Sequence, residues 1–204
     1  MENSVKISSN EVFHGFVSGY IADLNACFSP DINSRIYELA NSLLQAWEDN
    51  RNVFLCGNGG SAGNAVHIAN DFIYGTGNCG TEAKVPGLKV NALTSNPAIL
   101  TCLGNDIGFE NIFSYQIKTL ADKNDLLIVL SGSGNSKNVV SAIKTANEIG
   151  LKTFAILAFD GGKCKEIAKH PIHFDINDMQ IAEDLQLIIG HLCMQWLSKN
   201  KPLL

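Results

Sequence analysis

Leu126-Leu127-Ile128-Val129-Leu130 runs without a polar break into Ser131-Gly132-Ser133-Gly134-Asn135-Ser136; earlier, Val53-Phe54-Leu55-Cys56 runs into Gly57-Asn58-Gly59-Gly60-Ser61-Ala62. Each apolar run has strand length and no alternation, as a strand buried on both faces does. Helical periodicity follows each loop, over 62–74 and 137–149. In open α/β sheets, ligands bind beyond the carboxyl ends of such strands. Glycines let the backbone approach an anion, helix N-termini offer unpaired N–H groups and partial positive charge, and serine hydroxyls add donors. The two loops therefore read as a cradle for a phosphate monoester held by Ser61, Ser131, Ser133 and Ser136. Gly, Ser and Asn also build ordinary turns and N-caps. Two such loops at corresponding strand ends favour the ligand.

Outward from these loops the same grammar repeats. Ile32, Ile36, Leu39, Leu43 and Trp47 predict a helix over 31–49, with a weaker one within 13–24. Strands are predicted at 88–93, 153–158 and 171–175, and helices at 96–103, 110–120, 163–168 and 180–198. Residues 75–84 read as a Gly-rich irregular stretch. Strands separated by helices specify a parallel sheet covered on both faces. The expectation is one domain over 1–204, with N-terminal helices in 1–50 and the α/β core and C-terminal helix in 51–204.

An apolar content of 46% and a charged content of 17% favour a folded core over disorder. Fifteen Lys+Arg against twenty Asp+Glu leave −5, and the basic residues form no run, which argues against phosphate-neutralising nucleic-acid binding. No stretch approaches the ~20 apolar residues of a membrane span. Met1-Glu2-Asn3-Ser4 lacks a secretion signal's pattern, so the cytoplasm is expected. Six cysteines without C-x-x-C pairing read as reduced, mostly buried thiols. Residues 57–62 formally fit G-x-G-x-x-A, but no strand ending in Asp or Glu follows about twenty residues on, and a P-loop is absent.

His67 and Asp71 are four apart and share a helix face; such a pair can ligate a metal, divide acid and base work, or simply stand on a surface. The last helix carries Glu183 and, amid apolar neighbours, His191. Glu183 and His191 lie about 12 Å apart along a helix axis. They could share a metal only through converging long side chains or a symmetry mate.

Three motifs then add a resemblance. G-N-G-G-S-A-x-x-A-x-H-x-A at 57–69, G-N-D-x-G-F at 104–109 and S-G-S-G-N-S at 131–136 are similar to the sugar isomerase (SIS) domain family, in its phosphoheptose isomerase branch. The similarity runs from the helix near 31 to the C-terminal helix. It implies a flavodoxin-like three-layer sandwich around a five-stranded, mostly parallel sheet, and a cytoplasmic homotetramer with active sites between subunits. Trp196, Leu192, Ile188 and the 31–49 helix offer apolar surface for that assembly. The resemblance further implies Zn²⁺ bound by His67, Asp71, Glu183 and His191, with Asp71 and His191 as the acid–base pair. It implies a sugar phosphate bound by Asn58, Gly59, Gly60, Ser61, Asn105, Asp106, Ser131, Gly132, Ser133, Ser136 and Glu183. Asp160-Gly161-Gly162-Lys163 also matches a family loop, and equally an Asp-capped helix start. Three positions depart from the pattern: Asp71 stands for Glu, Glu183 for Gln, and Gly132 for Thr.

The implied reaction is aldose–ketose isomerisation through an enediol, sedoheptulose 7-phosphate to D-glycero-D-manno-heptose 7-phosphate, feeding lipopolysaccharide or capsule synthesis. Isomerisation of a different sugar phosphate is one alternative. A non-catalytic SIS protein, sensing phosphosugars or tethering the replication initiator, is another. Such a binder is expected to lose the acid–base pair, whereas this chain keeps Asp71 and His191; no DNA-binding segment accompanies the motifs.

Overall fold

The computed structural model describes residues 9–79 and 84–202. Met1–Ser4 and the 80–83 part of the Gly-rich stretch lie outside the described residues. Five strands, β1 Asn52–Cys56, β2 Lys89–Ala92, β3 Leu126–Ser131, β4 Lys152–Leu157 and β5 His170–His173, form one sheet in the order β2-β1-β3-β4-β5. Every pairing is parallel; Val53 lies beside Leu126 and Ile128 beside Phe154. The strand order reverses between β1 and β3, the crevice position for ligands in such sheets.

Alternate residues of each strand enter two separate cores. Val53, Leu55, Leu126, Ile128, Leu130, Phe154 and Ile156 face α2 Pro30–Glu48, α3 Gly60–Asn70 and α9 Met179–Lys199. Phe54, Cys56, Leu127, Val129, Ala155 and Leu157 face the opposite layer. That layer holds α5 Pro97–Asp106, α6 Ser114–Leu120, α7 Lys137–Ile149 and α8 Gly162–Ile167. Burial on both faces is why these strands read as unbroken apolar runs. No helix among the described residues is long and apolar enough to cross a membrane.

The first helix, α1 Ser9–Ala26, buries none of its residues. Val12, Phe13, Phe16, Val17 and Ile21 stand exposed along it, Phe16 by 67%. It packs on the core through the partly buried Tyr20 and Leu24, and the Tyr20 hydroxyl donates to Asp184 at 2.5 Å. That bond pushes the Tyr20 pKa up to about 12. The bond's contribution is therefore intact below the phenol's ordinary pKa and is lost as pH rises through about 12.

Three expectations need correction. The helix predicted over 62–74 does not run as a uniform α-helix into an irregular stretch: it widens into a π-turn, Asp71–Gly75, and continues as α4 Thr76–Asn78. The cysteines are buried only at Cys56, Cys164 and Cys193, while Cys79 and Cys102 are exposed. Burial pushes the Cys164 and Cys193 thiols up to about 12, which leaves them inert. Asp160 does not cap α8. Its carboxylate accepts from Gly162 N at 3.0 Å, and Gly161 occupies the cap position.

The strand bottoms are held by Asp125, 1% exposed. It accepts from Asn52 N (3.0 Å), Asn52 Nδ2 (3.2 Å) and Asp122 N (2.9 Å). Asp125→Ala leaves these donors without a partner and is expected to lower stability by about 2–3 kcal/mol, read as a shifted urea midpoint at unchanged slope.

Candidate active site

The loops after β1 and β3 lie side by side and line a cleft of ≈ 290 Å³ with Asn58, Gly59, Gly60, Ser61, Ser131, Gly132, Ser133, Ser136, Met179 and Glu183. The Asn58 and Asn138 amides join them reciprocally, at 2.9 and 2.8 Å. Asn138 is 2% exposed. Only its place one residue inside α7 hinted at it.

Gly59 caps α3 with φ +56 and no side-chain bond, and Ser136 caps α7 without engaging its hydroxyl. The Ser131 hydroxyl accepts from Gly134 N at 3.1 Å and that of Ser133 from Asn135 N at 3.4 Å, so each keeps its proton for a ligand. Turn-building and ligand-binding are thus compatible uses of the same serines. The second loop is braced from β4: at Gly134 (φ +63) a Cβ would overlap the Gly161 carbonyl. Cys164 N donates to Gly134 O at 3.0 Å and Lys163 N to Asn135 Oδ1 at 3.1 Å. Among the described residues no Lys or Arg lines the cleft, whose donors toward an anion are hydroxyls, amides and the two helix N-termini.

Helices α3 and α9 run side by side from this cleft. At its mouth the Glu183 carboxylate lies over Gly60, where any Cβ would overlap it. One turn on, Asn64 Nδ2 donates to Glu183 O (2.9 Å) and Gln186 Oε1 (3.0 Å). Further along, Gly190 lets Ile68 pack against the α9 backbone; a Cβ at 190 would lie 2.6 Å from Ile68 Cγ1. That close approach brings His67 Nε2 within 2.9 Å of His191 Nε2. Asp71 Oδ2 lies 3.5 Å from each of these nitrogens. At 2.9 Å one ring must present N–H and the other its lone pair. The site is open, with the His67 side chain 51% and Asp71 18% exposed.

The four residues expected to share a metal therefore divide. His67, Asp71 and His191 converge, and Glu183 belongs to the loop cleft. Eight residues of helix separate Glu183 from His191, and neither side chain spans that length. Asn105 and Asp106 lie outside the cleft lining, exposed at the end of α5, where Asn105 Nδ2 donates to Asp106 at 2.8 Å. The remaining loop residues expected to bind substrate all line the cleft.

The two loops at the switch point thus open a cleft of hydroxyls, amides and helix N-termini beside an imidazole–carboxylate cluster. The family profile described as "SIS domain" matches residues 19–158. The chain is 38% identical over 152 residues to a phosphoheptose isomerase of Aliarcobacter butzleri, covering 74% of this chain and 78% of that one. It is 35% identical over 166 residues to a phosphoheptose isomerase of Clostridium acetobutylicum, covering 81% and 82%. The solved phosphoheptose isomerase of Neisseria gonorrhoeae superposes with a TM-score of 0.83 at 26% identity, covering 94% of this chain and all of that one. The chain belongs to the SIS domain family, in its phosphoheptose isomerase branch.

Gly190→Ala tests the helix contact behind the cluster. In an ordinary helix the change gains up to about 1 kcal/mol. Here the overlap with Ile68 is expected to reverse that gain by about 1–3 kcal/mol. It should lower Tm and, by parting His67 from His191, lower turnover as well.

Proposed function

We propose that the protein isomerises an open-chain phosphorylated sugar, sedoheptulose 7-phosphate to D-glycero-D-manno-heptose 7-phosphate, with the two loops holding the phosphate and Asp71 and His191 moving the proton. One observation carries this reading: His67, Asp71 and His191 converge on the same helix pair that opens at the two-loop cleft. Six residues of α3 separate Ser61 from His67, about 9 Å at 1.5 Å per residue, a reach suited to a long open-chain sugar.

In the reaction, one group takes a proton from the carbon beside the carbonyl while the other protonates the carbonyl oxygen, giving an enediol. The first then returns its proton to the former carbonyl carbon and the second takes the proton of the other enediol hydroxyl, so both groups end as they began. Asp71 is the candidate base. His191, oriented by His67 at 2.9 Å, is the partner that exchanges the second proton. Ser61, Ser131, Ser133 and Ser136 anchor the phosphate, whose remote binding energy holds the sugar in line. Asn58 and Glu183, both in the cleft lining, serve the sugar hydroxyls in this reading.

Two imidazole nitrogens and a carboxylate within 4.8 Å of one another fit the donor set of a catalytic Zn²⁺ site with an open position. His67, Asp71 and His191 would hold the ion, and Glu183 stands apart from them. When bound, Zn²⁺ supplies Lewis-acid polarisation of the sugar oxygens. We further read the protein as a cytoplasmic homotetramer: the apolar stripe of α1 and a groove of ≈ 250 Å³ lined by Ile36, Tyr37, Leu192 and Trp196 are faces for further copies of the chain.

Asp71→Asn and His191→Ala should each lower kcat at least about 10²-fold in a coupled assay on sedoheptulose 7-phosphate. Asp71→Glu should keep measurable turnover, and full activity in Asp71→Asn would remove the carboxylate from the chemistry. Native mass spectrometry reads subunit number and metal together. Four chains with one Zn²⁺ each is the expected species, and a metal-free monomer would overturn both assignments.

A further inference from the structure

We propose that Met179 decides which phosphate esters the cleft accepts, walling the space over Gly132 so that the phosphate-bearing carbon must be an unbranched methylene. The proposal rests on the reading of the two loops as a phosphate cradle.

A Cβ at position 132 would lie 2.8 Å from Met179 Sδ, 3.2 Å from its Cε and 3.5 Å from Phe159 Cε2. The volume beside the second residue of the loop is thus filled from outside, by the thioether of α9, rather than by the loop's own side chain. Both walls are fixed at the backbone. Asp178 caps α9, accepting from Ile181 N at 2.9 Å, which sets the direction in which Met179 leaves the first turn. Phe159 is held at φ +52, a left-handed conformation uncommon for so bulky a residue. Phe159 N donates to Ile176 O at 2.9 Å, and its carbonyl accepts from His173 Nε2 at 2.9 Å. Ala158 N in turn donates to Gly132 O at 2.9 Å.

Packing alone does not account for Met179. It is 40% exposed, so it adds little to the core. Leu130, the other apolar side chain of the cleft lining, is fully buried. Met179 is therefore the apolar side chain that a ligand meets among hydroxyls, amides and one carboxylate. A primary phosphate ester presents a CH₂ group to the thioether, a contact that strips no polar group of water. A secondary ester presents a branched carbon with a hydroxymethyl arm on either side. One arm must then enter the volume of the sulfur, or bury its hydroxyl there without a partner, which is unfavourable.

Glycerol 3-phosphate and glycerol 2-phosphate are isomers of equal charge and atom count that carry the phosphate on a primary and a secondary carbon, and their binding needs no turnover. Calorimetric titration of the full chain with both, and with inorganic phosphate as reference, should show a preference of at least about tenfold for the 3-phosphate, the discrimination an apolar wall gives. Met179→Ala should bring the ratio to within about twofold, and Met179→Leu, which restores an apolar wall, should keep it. An unchanged ratio in Met179→Ala, or the absence of a preference in the unmodified protein, would overturn the role of Met179 while leaving the cradle standing. Failure to bind even inorganic phosphate would overturn the cradle and the proposal with it.

Discussion

The parallel pairing of β1 with β3 is the constraint on which the rest of the site depends. With Val53 beside Leu126 and Cys56 beside Val129, both strands end at the same edge of the sheet. Both must then feed helices, and the two helices part: α3 packs into one core and α7 into the other. Their diverging first turns leave a gap that neither can fill. The reciprocal Asn58–Asn138 amide pair spans its floor. A slip of one residue in this pairing would exchange the two cores and separate the loops.

From that gap onward the His67–Asp71–His191 cluster is assembled by helix packing. The α9 helix reaches the cleft last in the chain, yet it contributes at every level of α3: Glu183 over Gly60, Gln186 at Asn64, Gly190 against Ile68, and His191 beside His67. Small residues at 60 and 190 permit the approach. Polar bonds from Asn64 fix the register between the helices, so the histidines meet by construction rather than by loop flexibility. Precision of this kind belongs to rigid elements.

The fold was largely legible because both cores are built on simple periods. The unbroken apolar runs of β1, β3 and β4 and the 3.6-residue spacing in α2 and α7 state their own burial. The two loops announced the cleft through residue type and their place at the ends of apolar strands. What could not be read was convergence between distant segments. Glu183 and His191 look alike as polar breaks in one helix, and only the position of α3 sends one to the loops and the other to His67. Asn64 carries no mark beyond being an asparagine, and Asn138 none beyond its place one residue inside α7, for their roles lie in partners more than seventy residues away. Asn105 and Asp106 sit within a recognisable motif, yet in this chain they lie at an exposed helix end outside the cleft lining. The π-turn was invisible because a wide turn changes hydrogen-bond spacing without changing composition.

That wide turn has a mechanical meaning. Thr76 N reaches back five residues to Asp71 O, and the Phe72 carbonyl accepts from both the Thr76 hydroxyl, at 2.7 Å, and Leu88 N, at 3.0 Å. Gly87, where a Cβ would overlap the Ile73 carbonyl, lets the returning chain lie directly on the turn. The chain through Gly87 and Leu88 is thereby clamped onto the end of the helix that Asp71–Gly75 extends. Asp71 stands upstream of the clamp and β2 downstream. A change in length after Asn78 reaches the Asp71 carboxylate only through this clamp, so the spacing of His67, Asp71 and His191 is set by the packed helices.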